Sequence, residues 1–246
     1  FIHQRKQQKG RVENYLKLLQ GKVNRSDHIV FISNYSKDDA KKYLVFDEKK
    51  TSVIYNGVSF SKDLEKVPWF KNKLHKKFLF NINKLLPKKN LLCLVEMMKY
   101  LPGLQLVIAG DNETTYGEEV KELVTTLNLE EQVILCGRVL EGEKKWLYKN
   151  CEAFCFPSLL EGFGLPVVEA HAYGKKTIVS RATSLPEVAG ECSYFFECHD
   201  PQIMANVVST ALLDDSFTFD EIMKNSERFS WAMTASSYEK IYRELS

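Results

Sequence analysis

Short, almost unbroken apolar runs separated by longer amphipathic stretches dominate the chain from residue 77 onward. Lys77-Phe-Leu-Phe-Asn-Ile, Leu104-Gln-Leu-Val-Ile-Ala-Gly, Val133-Ile-Leu-Cys, Ala153-Phe-Cys-Phe, Thr177-Ile-Val-Ser and Ser193-Tyr-Phe-Phe each read as a strand buried on both faces. Helical spacing follows the first four, over residues 90–100, 116–128, 143–149 and about 165–173. Three more helical stretches, near 201–213, 220–229 and 231–245, close the chain. The repeated strand-then-helix order predicts an α/β domain whose parallel sheet is covered on both faces. Right-handed crossovers make that a doubly wound, Rossmann-like sheet.

The opening of the chain is less regular. A helix is expected over 7–19, where Tyr15, Leu18 and Leu19 share one face, followed by a strand at 28–33. Ser33 or Ser36 can cap a helix running to about residue 44, because a short hydroxyl side chain satisfies the free amides of a helix start. A second short strand at 51–55 ends in the turn signal Asn56-Gly57. Two strands are too few for an independent core, so residues 1–57 read as the end of another domain. Residues 58–77, Lys-rich and interrupted by Pro68, read as a linker, 78–230 as the Rossmann-like domain, and 231–246 as a last helix.

Composition narrows the choice. With 44% hydrophobic and 27% charged residues the chain matches ordinary globular proteins. Its 34 Lys+Arg against 32 Asp+Glu leave +2, which gives no broad basic field for nucleic acid. No apolar run approaches 18 residues and no signal-peptide core precedes residue 20. A first residue of Phe in place of Met reads as a fragment. Cys151 and Cys155 read as same-face residues of one strand, and no His or Cys nearby completes a zinc set. All six cysteines are therefore expected as buried, reduced, cytosolic thiols. Phe154, Phe156, Trp146 and Trp231 are expected in the core, and His171 as a packing or surface residue.

Ligands of open parallel sheets bind outside the carboxyl ends of the strands. Three segments fall there: Asn83 to Asn90 with Lys84, Lys88 and Lys89; Gly137-Arg138-Val139; and Pro157 to Ala170. In the third, Gly162 and Gly164 lack a Cβ, so a ligand can lie against the backbone. Pro166 suits the first helical position, and the loop then delivers free amides and a positive helix end to an anion. Glu169, about 6 Å into that helix, can accept two hydroxyl hydrogen bonds, as from a ribose. Glu161 lies on the loop, on the other side of a bound phosphate. Solvated lysines, a capping Glu161 and a surface Glu169 are the plainer alternatives.

Glu161-x7-Glu169 within PSLLEGFGLPVVEAHAYG resembles the E-x7-E signature of retaining GT-B glycosyltransferases, glycosyltransferase family 4 (group 1). SNYSKDDAKKY and TSVIYNGVSF resemble the end of that family's N-terminal domain and its interdomain linker, NKLLPKKN its phosphate loop, and FSWAMTASSYEKIY the closing helix that crosses back to the N-terminal domain. The resemblance implies Lys84 and Lys89 on a diphosphate and Glu169 on the ribose. It places Glu161, with Gly162, Phe163, Gly164 and Leu165, on the sugar and β-phosphate, and Asn83, Arg138 and Val139 in the donor site, the last two beside the base. Asn83 replaces the usual Gly and Lys84 the usual Arg, exchanging a bidentate fork for a point charge. His171 and Lys176 stand where Met and Pro are common.

The implied activity is retaining, metal-independent hexosyl transfer, mannosyl among the candidates. The donor would be UDP-sugar or GDP-sugar, the acceptor a glycan or lipid-linked glycan, in bacterial surface-polysaccharide or O-antigen assembly. No cofactor or metal is called for, and Lys84, Lys89 and Glu161 are the catalytic candidates. As a donor-binding half, the fragment alone is expected to be inactive. The implied location is cytoplasmic, at the inner membrane face, where the basic stretch 71–77 reads either as a solvated linker or as a peripheral membrane contact. A nicotinamide-dependent oxidoreductase competes through Gly162-x-Gly164 but lacks the third glycine, Val167 standing there. A non-catalytic nucleotide-binding module is the third alternative.

Overall fold

The computed structural model describes residues 9–59 and 64–246. The chain divides into two compact units, residues 58–228 and residues up to 57 together with 229–246. The expected helix start at residues 7 and 8 lies outside the described residues.

In the smaller unit, helix α1 (Lys9–Val23) leads to strand β1 (Ile29–Phe31), helix α2 (Asn34–Lys41) and strand β2 (Thr51–Val53). The strands pair in parallel, Ile29 opposite Thr51 and Phe31 opposite Val53. Ser33 caps α2, its Oγ accepting from the Ser36 amide at 3.0 Å. Both strands are shorter than the apolar runs that announced them, because a two-stranded ladder ends where pairing ends.

In the larger unit, β3 (Lys77–Ile82), α3 (Leu91–Met97), β4 (Leu104–Ala109), α4 (Thr115–Thr126), β5 (Val133–Gly137), α5 (Glu141–Asn150), β6 (Ala153–Phe156), α6 (Leu165–Ala172), β7 (Lys176–Ser180), α7 (Leu185–Ala189), β8 (Tyr194–Phe196), α8 (Pro201–Leu213) and α9 (Phe219–Glu227) follow in turn. All six strands are parallel, in the order β5-β4-β3-β6-β7-β8. This is the Rossmann order, and it reverses between β3 and β6. Alternation along each strand builds two cores. Leu79, Leu106, Cys155 and Ile178 pack one face with α3 and α8, while Phe80, Val107, Phe154 and Val179 pack the other with α5 and α6.

Several expectations change. The stretch read as a linker contributes to the larger unit: Phe70 and Leu74 are buried in the second core, and the Lys66 amide donates to Gly142 O at 3.1 Å. Its lysine-rich composition hid two core anchors. Cys151 ends α5 and packs with Phe154, while Cys155 packs on the opposite face, so strand periodicity did not govern the pair. Cys192 and Cys198 are only half-buried. The last helix, α10 (Trp231–Leu245), belongs to the smaller unit, where Thr234 Oγ1 donates to Tyr55 O at 2.8 Å. Gly57 is needed there, since a Cβ would collide with the Trp231 backbone. The Trp231 ring is about half exposed and is not core. Among the described residues, no helix is long and apolar enough to cross a membrane.

Candidate functional site

The strand order opens a crevice at the carboxyl ends of β3 and β6. The loops leaving those strands, 83–90 and 157–164, are tied together by the Leu159 amide donating to Lys88 O at 2.8 Å. A third element closes in through Gly110 (φ +125°), where any side chain would collide with Asn83 O. Asn83 is held inward: its amide donates to Ala109 O at 3.1 Å and its Nδ2 to Asn81 Oδ1 at 2.6 Å. Asn81 Nδ2 in turn donates to Cys155 O at 2.7 Å, coupling β3 to β6.

Lys89 ends a 3-10 turn (Pro87–Lys89), just before Asn90 in the left-handed region. Its Nζ pairs with the Glu161 carboxylate and stands 5.1 Å over the Phe156 ring. Both partners are nearly nine-tenths buried, so each is the other's compensating charge. The Glu161 loop is anchored from the β7–α7 side. The Glu161 amide donates to Thr183 Oγ1 (3.1 Å), while Ser184 Oγ is within donating distance of Phe163 O (2.9 Å) and Glu161 O (3.1 Å). Thr183 adopts a left-handed φ of 55°, uncommon for a β-branched residue. Gly164 (φ +112°) starts α6, and a Cβ on it would press on Leu185 Cδ2. Leu165 takes the first helical position and Pro166 the second.

Glu169 sits in a separate cluster. Its Oε1 pairs with Lys144 Nζ at 3.2 Å and its Oε2 accepts from Tyr148 Oη at 2.9 Å. Lys144 also pairs with Glu141 at 2.9 Å. Glu169 lines a narrow cleft with Val58, Ser59, Glu141, Lys144, Tyr148 and Tyr173; Glu161 does not line it. Burial works against the Lys144 charge, yet the two glutamates raise its pKa above the ordinary lysine value. Burial, and then Glu169, push the Tyr148 phenol well above its ordinary value.

A third cluster joins the remaining cations. Asp111, just past β4, accepts from Arg138 Nη2 at 3.1 Å and pairs with Lys84 Nζ at 3.5 Å. The Arg138 hydrogen bond holds the Asp111 carboxyl below its ordinary range. Lys84 and Arg138 are exposed, whereas Val139 is half-buried against the second core. Phe163 is buried and Leu165 partly exposed. The structure therefore joins Lys89 to Glu161 and Lys84 to Arg138, and keeps Glu169 with partners the sequence reading did not include. Those partners are Lys144 and Tyr148, with Asp111 and Thr183 supporting the other clusters. The i,i+4 spacing of Lys144 and Tyr148 on one helix was the available signal. Among the described residues, no three His, Cys, Asp or Glu side chains are grouped to hold a metal ion.

A family model described as "Glycosyl transferases group 1" matches residues 64–229. The chain is 35% identical over 182 residues to the serotype-specific mannosyltransferase WbdA of Escherichia coli, a match spanning 70% of this chain and 22% of that protein. It is 30% identical over 171 residues to the O-antigen chain mannosyltransferase RfbU of Salmonella typhimurium, spanning 70% and 47%. The fold is similar to that of Anabaena HepE in complex with UDP and glucose, with a TM-score of 0.80 at 20% identity over 93% of this chain and 66% of that one. The matches thus span about a fifth of WbdA and just under half of RfbU.

Proposed function

Because the chain belongs to the glycosyl transferases group 1 family, we propose that its larger unit holds the nucleotide diphosphate sugar of a hexosyl transfer. The observation that carries this reading is the Lys89–Glu161 pair, set where the sheet order reverses and two loops are tied together. A diphosphate arriving there competes with Glu161 for Lys89, and the released carboxylate becomes an acceptor for sugar hydroxyls. Lys84, Lys89 and the start of α6 supply positive charge to the leaving group, so the reaction as proposed needs no metal. The bond from the anomeric carbon to the diphosphate breaks and a bond to the acceptor oxygen forms on the same face. The acceptor proton passes to the departing phosphate, giving retention without a protein nucleophile.

In this reading Glu169 receives the ribose hydroxyls, and Arg138 with the Val139 backbone borders the base. The names of WbdA and RfbU favour mannosyl transfer in O-antigen assembly, and the UDP held by HepE favours a nucleoside diphosphate donor. Family membership leaves the nicotinamide reading without support. A lipid-linked glycan on the cytoplasmic leaflet is the proposed acceptor. Trp69, exposed just before the basic stretch with its ring 5.8 Å from Lys73 Nζ, supports peripheral contact there. Calorimetric titration of the chain with UDP, GDP and NAD tests the donor assignment. Binding of UDP or GDP and not NAD is expected; millimolar indifference to both diphosphates overturns it.

A further inference from the structure

Tyr148 is wholly buried, its ring packed edge-on to Phe80 (5.0 Å), tilted against Phe154 (5.5 Å) and stacked on Tyr173 (5.6 Å). Such a nest suits Phe, and a hydroxyl brought into it is unfavourable unless it finds an acceptor. Two acceptors are in reach, Glu169 Oε2 at 2.9 Å and Pro166 O at 3.2 Å. A phenol has one proton, and the shorter bond to the charged oxygen is the stronger one. Burial keeps that proton on the phenol, so Tyr148 is a permanent donor.

The Glu169 carboxylate offers about four lone-pair sites. Tyr148 takes one on Oε2 and Lys144 one on Oε1, which leaves each oxygen able to accept one further hydrogen bond. Two acceptors a carboxylate-width apart match a vicinal diol. We propose that Tyr148 is a positioning residue: without touching the donor, its hydroxyl sets the plane of the Glu169 carboxylate so that both oxygens receive the ribose diol together. The proposal rests on the reading of Glu169 as the ribose acceptor. Lys144 alone cannot supply this function, because a flexible ammonium holds an oxygen without fixing the plane.

The test compares the unmodified chain with Tyr148→Phe, which removes one oxygen and keeps the ring. Each is titrated calorimetrically with UDP or GDP, whichever binds more tightly, and with the 2′,3′-dideoxy analogue. The unmodified chain should prefer the ribose form by about tenfold or more, the scale of hydrogen bonds to a charged group. Tyr148→Phe should weaken the ribose form about five- to tenfold and leave the dideoxy form within twofold, which also reports an intact fold. Equal weakening of both ligands would reduce Tyr148 to a packing role, and unchanged ribose affinity would make the hydroxyl idle; either overturns the proposal. Absence of ribose preference in the unmodified chain instead sinks the Glu169 assignment, and the proposal with it.

Discussion

Glu161 and Glu169 are eight positions apart and are held in opposite ways. Glu161, on a loop, has its charge met by a single buried lysine that another anion can claim. Glu169, on a helix, is steadied by a buried phenol and a half-buried lysine that leave acceptor capacity free. The first carboxylate suits exchange of partners; the second suits a fixed acceptor. The spacing set one residue on the loop and the other on the helix, and the elements facing them decided how each charge is held.

Removing one side of the exchangeable pair should have the largest effect. Lys89→Ala strands a buried carboxylate and should lower stability by about 3 kcal/mol, the lower end for breaking a buried pair. Urea denaturation measures this, and in titrations the diphosphate should weaken far more than the nucleoside. If the pair is mutually dependent, Lys89→Met with Glu161→Gln should recover much of the loss.

The other side of the helix carrying Glu169 provides a pH test. His171 is fully buried: Asn225 Nδ2 stands 2.8 Å from Nδ1, leaving Nε2 to donate toward Thr177 Oγ1 (2.7 Å). Burial, and then Arg228, lower its pKa from 6.5 to about 3. Between these values the unfolded chain binds the proton and the folded one does not. Stability should therefore be full above pH 6.5 and fall on acidification, by up to about 1.4 kcal/mol per pH unit from this group. Thermal melts from pH 7 to pH 4.5 follow it, and His171→Asn should flatten the slope.

Glu169→Ala should weaken the nucleoside diphosphate by about 1–3 kcal/mol, the range for charged hydrogen bonds, with stability little changed. Unchanged affinity in calorimetry would remove it from the site. The smallest effect belongs to Arg138→Ala. Its pair with Asp111 is solvent-screened on the arginine side, so the denaturation midpoint should barely move.

Much of the sheet was legible because its strands are buried on both faces and broken by few polar residues, Asn81 and Gln105 among them. β3 and β6 begin and end at the residues their apolar runs announced. The short α7 is absent from the helices that periodicity announces, because five residues carry too little of it. Trp231 was misplaced because a large aromatic side chain signals burial only on average. At the site, the E-x7-E spacing and the lysine loop were visible, while the partners of those residues were not. Lys89 meets Glu161 across 72 positions, and Tyr148 meets Glu169 across 21.

The sequence by itself determined the strand–helix alternation, and so a parallel sheet with a ligand crevice at its carboxyl ends. Local periodicity and turn chemistry act within a few residues, and that range suffices. Only the tertiary structure decided which charge each carboxylate answers to. That depends on strand order, which brings β3 beside β6, and on helix packing, which sets a buried phenol beneath Glu169. Ion pairs and hydrogen bonds act over a few ångströms of space, whatever the distance along the chain.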